Sequence, residues 1–249
     1  PEIMEVGAGF QISANGTRVL YELGLGPEIE AIRWEPEGKE IYVWNTGETK
    51  KLFDLGAESV ERYGFPYWTF HRADLQGVLA DAVRREKPDA IHLGSRCAGF
   101  DQDGGRVTLR LENGEAVQGD ALIGADGVHS AIRQSLFGVD QPQSTGCMAW
   151  RGVIPASKLP PGLIKPVGAN WIGPGRHVIH YFLRRGELLN FVGIVERDDW
   201  QIESWSARGT HEECLADFVG WHETVHFMIR NIAIPYKWAL LGRDPMARW

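Results

Sequence analysis

The sequence predicts an α/β protein with two interleaved lobes, one of alternating strands and helices and one built from a sheet with helices. Three observations support this fold class. Strand-like and helix-like segments alternate in the first half of the chain, strand-like segments dominate residues 147–195, and helix-like segments follow at residues 211–219 and 222–232. The length of 249 residues, with 43% hydrophobic and 24% charged residues, is sufficient for one large domain or two modest ones.

The first predicted helix begins at Ser13-Ala14-Asn15, a segment whose Ser and Asn are suited to capping a helix N-terminus. Val19, Leu20 and Leu23 are spaced so that they share one face of this helix. Gly24 is placed to end the helix, because glycine tolerates the left-handed backbone found at helix C-termini.

Extended segments come next. Between residues 29 and 55, apolar and polar residues alternate and turn-forming segments interrupt the pattern, which predicts a β-meander. Residues 65–70 form a further extended run. Residues 72–87 return to helical spacing, and Pro88 ends that helix because proline cannot continue it.

The middle of the chain alternates between short strands and a helix. Residues 89–93 predict a short strand, and residues 107–111 with residues 116–117 predict a hairpin. Residues 121–125 are uniformly small or apolar, which is typical of a buried strand. Residues 128–137 predict the helix that follows this strand.

Composition and charge exclude several classes of function. The apolar runs are far shorter than the ~20 residues of a membrane span, and no secretion signal opens the chain. A net charge of −7 argues against a nucleic-acid partner, because phosphate binding needs an excess of Lys and Arg. The isolated cysteines Cys97, Cys147 and Cys214 indicate reduced thiols, so we expect a cytoplasmic protein.

Asp126 and Gly127 lie between the predicted strand at residues 121–125 and the next helix. A helix N-terminus presents free N–H groups and partial positive charge, which suits the phosphates or ribose of a nucleotide. Glycine at this point lets a ligand approach the backbone closely. The alternative is a plain strand–helix turn in which Asp126 caps the helix.

A second motif indicates a different chemistry. His222, Glu223 and His226 form a His-Glu-x-x-His pattern, which on a helix places two imidazoles and a carboxylate as in zinc proteases. No third ligand stands out downstream of this pattern. We therefore interpret these residues as a solvated helix face and expect no metal, with a zinc hydrolase as the alternative.

Six segments together resemble the single-component FAD-dependent aromatic hydroxylases, the salicylate and hydroxybenzoate hydroxylase family. These segments are residues 7–15, 71–75, 126–133, 150–152, 176–181 and 195–200. Asp126 and Gly127, followed by Ser130 and Arg133, resemble the Asp-Gly motif of the family. Arg72 resembles its flavin-contacting arginine before a helix. The match runs through nearly the whole chain in the order expected for the family.

The resemblance implies a FAD-binding Rossmann-like lobe at residues 1–30 and 66–143, interleaved with a substrate lobe at residues 31–65 and 144–249. The family opens with a Gly-x-Gly-x-x-Gly turn in a βαβ unit and later has a Gly-Asp motif. The sequence contains neither of these flavin-holding motifs. We therefore interpret the chain as truncated at both ends, with a FAD-binding lobe that lacks its first βαβ unit.

The activity implied by the resemblance is aromatic ring hydroxylation with FAD and NAD(P)H as cofactors. NAD(P)H reduces the flavin, and the reduced flavin captures molecular oxygen as a C4a-hydroperoxide that hydroxylates a hydroxylated aromatic acid. The expected partners are therefore a small aromatic acid and oxygen, and a homodimer is compatible with the resemblance. A flavin-less binding or structural fragment is the alternative for a chain without the two missing motifs.

The resemblance also implies roles for residues of the substrate lobe. His177 is the expected base near the substrate hydroxyl, with a structural histidine as the alternative, and Tyr181 is a substrate contact. Residues four apart on a strand point the same way, so these two share a face and His180 faces away. Gln11 falls at the flavin–substrate junction. Arg151 is expected to steer the substrate carboxylate or the nicotinamide cofactor, or else to be a surface charge.

Five residues are the expected contacts of FAD. Arg72 is expected to bind the flavin phosphates from the start of its helix, because guanidinium–phosphate hydrogen bonds are among the stronger ones in proteins. Asp126 and Gly127 form the strand–helix elbow of the Asp-Gly motif. Gly9 and Gln11 belong to the stretch after the second strand of the family.

Overall fold

A computed structural model describes residues 9–197, 199 and 207–246. The helices are α1 (Ala14–Glu22), α2 (Gly26–Ile32), α3 (Gly56–Tyr63), α4 (Arg72–Glu86), α5 (Ala131–Phe137), α6 (His211–Asp217) and α7 (Glu223–Asn231). The strands are β1 (Gly9–Ile12), β2 (Gly38–Val43), β3 (Thr49–Asp54), β4 (Trp68–His71), β5 (Cys97–Asp103), β6 (Arg106–Leu111), β7 (Ala116–Gly119), β8 (Gln143–Pro155), β9 (Gly168–Gly173), β10 (Arg176–Leu183), β11 (Leu188–Glu196) and β12 (Tyr236–Gly242). Over these residues, none of the helices has the length and apolar character needed to cross a membrane.

The largest sheet has seven strands in the order β12-β8-β11-β10-β9-β2-β3. Neighbouring strands are antiparallel except β2 and β9, which are parallel. One face of this sheet packs against α6 and α7, where the buried Trp150 and Phe191 meet Phe218 and Met228. Burial of each such side chain contributes about 1.5–3 kcal/mol, so this face is the main core. The predicted strand-rich stretch and the two helices after it are confirmed.

The short sheet of β1 and β4 forms a second core with α1, α2 and α4. Its buried members include Leu20, Ile29, Trp68, Phe70 and Leu75. The helix predicted for residues 72–87 is confirmed as α4. Its apolar positions recur at helical spacing, and one face is buried against β4 and α2.

The third sheet consists of β5, β6 and β7 and packs against α5. The hairpin predicted from residues 107–111 and 116–117 is confirmed as β6 and β7. Strand β5, which pairs with β6, is not among the predicted strands. The helix predicted for residues 128–137 begins three residues later, at Ala131, because Ser130 acts as its N-cap and accepts a hydrogen bond from the amide of Arg133.

Two predictions about the first 60 residues are wrong in part. The meander does not begin at Ile29, which lies fully buried in α2, because Pro27 favours a helix start and Ile29 packs into the second core. Strands β2 and β3 do form the later part of the meander. In α1 only Leu20 of the predicted apolar face is buried, since Val19 and Leu23 are 52% and 61% exposed.

Two predicted strands are absent from the described structure. Residues 89–93 form turns and irregular backbone, and residues 121–125 are irregular and mostly exposed, with Ile123 89% exposed. A buried strand is stable only when neighbouring strands satisfy its backbone hydrogen bonds on both sides. No strand among the described residues pairs with either segment, so the buried-strand prediction for residues 121–125 is wrong for this chain.

The small sheet meets the large one at the turn after β10. The Thr69 hydroxyl donates to the carbonyl oxygen of Phe182 at 2.6 Å. Two nitrogens of the Arg184 guanidinium donate to the two carboxylate oxygens of Asp74, each at 2.7 Å. Arg184 and Arg185 have φ values of +47° and +54°, which are uncommon for residues other than glycine and cost about 1–3 kcal/mol each. The bidentate pair of Arg184 and Asp74 joins α4 to the large sheet.

Strands β2 and β3 belong to the same sheet as β8–β12, although residues 55–142 lie between β3 and β8 in the sequence. The predicted substrate lobe, residues 31–65 and 144–249, depends on such a pairing. The exact boundaries of the two lobes stay a prediction.

Candidate functional site

The face of the seven-stranded sheet that points away from α6 and α7 holds several of the predicted site residues. His177, Ile179 and Tyr181 alternate along β10 on this open face. His180 points to the other face, where its Nε2 accepts a hydrogen bond from Trp171 Nε1 at 3.1 Å. Burial lowers the pKa of His180 to about 4, so its ring is neutral near pH 7. The predicted orientation of these side chains is confirmed.

His177 lies away from the contact with the small sheet. Its cross-strand partners are Ile172 on β9 and Ile194 on β11. Partial burial lowers the pKa of His177 below its ordinary value, so a ring nitrogen is available to accept a proton near pH 7. Tyr181 is four residues further along the strand, about 13 Å away between Cα atoms. A ligand that contacts both side chains must therefore lie along the strand, over Ile179.

Tyr181 belongs to a polar group of side chains that we call the Gln11 cluster: Gln11, Lys39, Tyr67 and Tyr181. Gln11 Oε1 accepts hydrogen bonds from Tyr67 Oη and Lys39 Nζ, and the Gln11 amide also interacts with the phenol of Tyr181. Because an ammonium group only donates, these contacts set the orientation of the amide. Burial raises the pKa of Tyr67 to about 12 and also raises that of Tyr181. Both phenols are therefore neutral hydrogen-bonding groups near pH 7.

Lys39 reaches this cluster from β2 across the backbone of β9. Its register partner is Gly168, and a Cβ added to Gly168 would lie 2.7 Å from Lys39 Nζ. The missing side chain thus provides the space that the lysine occupies. Nζ lies 5.0 Å from the centroid of the Tyr67 ring. Burial lowers the pKa of Lys39 to about 8.

Sequence reasoning missed Lys39, although a signal was present. Lys39 lies two residues before Ile41, so in a strand both side chains belong to one face. A charged residue at an apolar position of an alternating strand needs a partner or a ligand. Tyr67 had no comparable signal, because it lies in the connection before β4.

Gly9 packs against the large sheet. Its amide nitrogen donates to Asn190 Oδ1 at 2.8 Å. A Cβ on Gly9 would lie 2.6 Å from Leu183 Cδ2 and 2.9 Å from Tyr181 Cε2, so only glycine allows β1 to come this close. Asn190 is fully buried, and its Nδ2 has no hydrogen-bond partner among the described residues. A role of Gly9 in flavin binding stays a prediction.

Arg72 and Arg151 place two guanidinium groups within electrostatic reach of each other. Arg72 is the exposed first residue of α4. Arg151 lies on β8 with its Cζ 4.6 Å from the centroid of the Trp238 ring. Burial lowers the pKa of Arg151, and the positive charge of Arg72 lowers it further. An anion near both groups would relieve this repulsion, so the pair suits a phosphate or a carboxylate.

Asp126 caps the N-terminus of α5. Its carboxylate accepts hydrogen bonds from the Ser130 hydroxyl at 2.5 Å and from the amides of Ala131 and Ile132 at 2.7 and 3.2 Å. Burial raises the pKa of this carboxyl, but the hydrogen bonds outweigh burial and hold the pKa below its ordinary value. Gly127 has a φ of +77°, and open space surrounds a Cβ built on it. Asp126 therefore acts as the helix cap that the sequence offered as an alternative. A ligand contact at Gly127 stays a prediction.

Two side chains of the His-Glu-x-x-His pattern pair with each other, because His226 Nδ1 lies 3.7 Å from a carboxylate oxygen of Glu223. His222 Nδ1 caps α7, His226 Nε2 lies 2.7 Å from the carbonyl oxygen of Phe218, and Glu223 pairs with Arg230 at 2.6 Å. Within the described ranges, no group of three or more His, Cys, Asp or Glu residues could hold a metal ion. The interpretation as a solvated helix face holds for Glu223, whose side chain is 70% exposed, but it is wrong for His226, which is 18% exposed because its ring packs against the backbone at Phe218.

Parts of two predicted segments lie outside the described residues. These are Gly7 and Ala8, which precede β1, and Asp198 and Trp200, which follow β11. The remaining site residues fall into three places: the open sheet face, the guanidinium pair and the elbow before α5. The structure brings Gln11 and Tyr181 into the same cluster. It places His177 on their side of the sheet but in a different row of side chains.

Comparison with known proteins assigns a family. The FAD binding domain family matches residues 9–218. The 3-amino-4-hydroxybenzoate 2-monooxygenase of Streptomyces platensis is 34% identical over 98% of this chain and 61% of its own length. The 6-hydroxynicotinate 3-monooxygenase of Pseudomonas fluorescens is 30% identical over 100% of this chain and 64% of its own length. The chain therefore spans about three-fifths of the length of these relatives.

Solved structures share the fold. The Klebsiella pneumoniae protein HpxO in complex with FAD and uric acid matches with a TM-score of 0.83 and 23% identity, covering 99% of this chain and 62% of that one. A salicylate hydroxylase substrate complex matches with a TM-score of 0.77 and 24% identity, and the match covers 97% of this chain and 62% of that one. The predicted α/β fold class is confirmed. The chain belongs to the FAD-binding monooxygenase family, that of the hydroxybenzoate and salicylate hydroxylases.

Proposed function

We propose that this chain is the larger part of an FAD- and NAD(P)H-dependent monooxygenase that hydroxylates a hydroxylated aromatic acid. Its family and the names of its relatives, which act on a hydroxybenzoate and a hydroxynicotinate, support this function. The observation on which it chiefly rests is the open sheet face, where the neutral His177 and the Gln11 cluster can contact the two ends of one flat ligand.

The described residues fit FAD at several points. The guanidinium pair of Arg72 and Arg151 suits anionic phosphates, and Gly127 leaves open space for a ligand beside the backbone. The Asp126 carboxylate is already used by α5, so Gly127 is the accessible part of that elbow. When bound and reduced by NAD(P)H, FAD supplies the oxygen chemistry, while the protein supplies orientation, a dry pocket and a base.

The proposed base is His177, which accepts the proton of the substrate hydroxyl at a ring nitrogen. Removal of that proton raises the electron density of the ring, which favours attack by an electrophilic oxygen. Tyr181 and Gln11 orient the other end of the ring through hydrogen bonds. Ile179 lies between these groups on the same face and helps to exclude water from the ring.

The alternative is a binding module that does not use flavin. The 249 residues contain neither the Gly-x-Gly-x-x-Gly turn nor the Gly-Asp motif, so this alternative is tested beside the proposed function. The two functions differ in one measurable property, because a monooxygenase couples NAD(P)H oxidation to the presence of its aromatic substrate.

The test uses a chimera in which the chain is joined to the βαβ unit and the Gly-Asp segment of a hydroxybenzoate hydroxylase. We expect the chimera to bind FAD and to oxidise NAD(P)H faster when hydroxybenzoates or hydroxynicotinate are added, with a hydroxylated product. The proposed function would be contradicted if the chimera binds one FAD per chain but none of these acids stimulates its oxidation of NAD(P)H.

A further inference from the structure

The Gln11 cluster has more hydrogen-bond donors than acceptors. Lys39 contributes three N–H groups, Tyr67 and Tyr181 each contribute an O–H, and the single amide oxygen of Gln11 accepts from both Lys39 and Tyr67. Asn190, the register partner of Tyr181, adds a fully buried Nδ2 without a partner among the described residues. The phenol oxygens can also accept, but Lys39 makes one hydrogen bond among the described residues and Asn190 Nδ2 makes none, so donors remain for an external acceptor.

The cluster also has an uncompensated positive charge. Lys39 forms no ion pair with a carboxylate of the described residues, and burial is what lowers its pKa to about 8. Other lysines of the chain do form such pairs, for example Lys165 with Glu40 at 3.0 Å. A half-buried ammonium group without an acidic partner is costly unless an anion joins it.

We propose that Lys39 binds the carboxylate of the aromatic acid, with Tyr67, Tyr181 and Gln11 completing the carboxylate site. The inference rests on the proposed function, because it assigns one end of the substrate within the same site. A carboxylate supplies the missing acceptors and the missing negative charge together. Gly168 leaves space for the ammonium group, since a Cβ there would lie 2.7 Å from Lys39 Nζ.

The arrangement of rows on the open face then orients the substrate. Lys39 pairs with Gly168, and continuing the β9–β10 register by one residue places Tyr181 in the same row, whereas His177 lies four residues away along β10. The rows are about 13 Å apart. A ring with a carboxylate and a hydroxyl on opposite sides, and a hydrogen bond of about 2.8 Å at each end, has the length to span them. The substrate class is therefore an aromatic acid whose hydroxyl lies opposite its carboxylate.

The experiment measures binding to the 249-residue chain by calorimetry or ligand-observed NMR, with 4-hydroxybenzoate and its neutral analogue 4-hydroxybenzamide. Lys39→Met removes the charge and keeps most of the aliphatic side chain. Lys50→Met is the matched control, because it removes the same charge from an exposed position of β3. Lys39→Gln is a second variant that does not depend on how methionine packs.

We expect Lys39→Met and Lys39→Gln to weaken binding of the acid by about 10–100-fold, the range of a charge-assisted hydrogen bond. In the same variants, the affinity for the amide should change by less than about twofold. Lys50→Met should leave the affinity for both ligands unchanged. Salicylate, with its hydroxyl next to the carboxylate, should bind more weakly than 4-hydroxybenzoate. Circular dichroism checks that each variant is folded.

The pH dependence gives a second readout. The groups that face Lys39 are Gln11, Tyr67 and Tyr181, and both tyrosines have raised pKa values, so Lys39 is the group of this cluster that titrates near pH 8. Acid affinity of the wild-type chain should therefore fall as pH rises above about 8. The phenol of each ligand is titrated separately, so that ionisation of the ring hydroxyl can be corrected for in both binding curves.

Three outcomes would overturn the inference. If the acid and the amide bind the wild-type chain equally well, the ring site and the proposed function stand, but the Lys39 assignment falls. Equal losses for both ligands in Lys39→Met would show a structural role of the lysine. If neither ligand binds the 249-residue chain at millimolar concentration, the Lys39 assignment falls, and the chimera tests the proposed function separately.

Discussion

His177 shows how a single histidine acquires a chemical role from its position. It is half-buried on the open face of the sheet, whereas His180 of the same strand is buried in the main core and bonded to Trp171. Burial lowers the pKa of both residues, so both are neutral near pH 7. His177 alone of these two faces the side on which the Gln11 cluster lies, which makes it the better candidate for a base.

We predict that His177→Asn uncouples the reaction in the flavin-binding chimera. Product formation should fall by about 10²–10⁴-fold, the usual contribution of a positioned base. NAD(P)H oxidation should continue, with hydrogen peroxide released in place of product, because His177 has no part in hydride transfer. The measurement is product and peroxide formed per NAD(P)H consumed.

The matched control for this variant is His92→Asn, at an exposed position outside the sheet. It should retain wild-type coupling. Wild-type rate and coupling in His177→Asn would show that His177 is a structural histidine and that the base has been assigned wrongly.

At the scale of the secondary-structure element, helix α4 is the link between the two sheets. Its first turn contains Asp74, which receives two hydrogen bonds from Arg184 at the turn after β10. Arg184 holds a left-handed backbone conformation that favours glycine, so this pair keeps the turn in a costly geometry. The same helix begins with Arg72, so its position also sets where that guanidinium lies relative to the open face.

We predict that Asp74→Asn lowers the free energy of unfolding by about 1–3 kcal/mol, because a partly buried, bidentate charged pair loses one partner. Asp81→Asn on the same helix is the control. Asp81 pairs with Arg84 in the solvent, with side chains 67% and 47% exposed, and its loss should cost about 0.5 kcal/mol or less. Urea unfolding followed by tryptophan fluorescence compares the two variants. Equal costs would show that the pair to Arg184 is no stronger than a surface ion pair.

At the scale of the whole molecule, the described residues provide an open sheet face and a guanidinium pair, but the sequence has no glycine-rich turn for the pyrophosphate of FAD. That turn normally binds the phosphates through free N–H groups of a helix N-terminus. Residues 121–125 also lack strand neighbours in the described structure, and Ile123 is 89% exposed. In the described structure, the segment before the Asp-Gly elbow is therefore exposed rather than covered by a neighbouring strand.

We predict that the 249-residue chain does not retain FAD. After incubation with excess FAD and passage over a desalting column, the flavin absorption should correspond to far less than one equivalent per chain. The chimera with the βαβ unit and the Gly-Asp segment should retain FAD under the same conditions. One equivalent of flavin on the unmodified chain would contradict the prediction and favour a cofactor site made of the present residues alone.

Local patterns in the sequence were sufficient to predict many of the secondary-structure elements of this protein. Helix α4 and the hairpin of β6 and β7 follow from helical spacing ended by Pro88 and from alternation around a turn. The opposite orientations of His177 and His180 follow from the two-residue period of a strand. Such features depend on residues close together in the chain, and the family resemblance added the expected order of the motifs.

Only the tertiary structure decided which segments have partners. Residues 121–125 read as a buried strand, yet burial and strand pairing depend on neighbours distant in sequence, and the described structure has none there. The Gln11 cluster likewise joins β1, β2, the connection before β4 and β10, and it forms because Gly168 leaves space for Lys39. Residue types determined which chemical groups this protein has. Long-range packing determined which groups meet, because spatial contact does not follow from spacing along the chain.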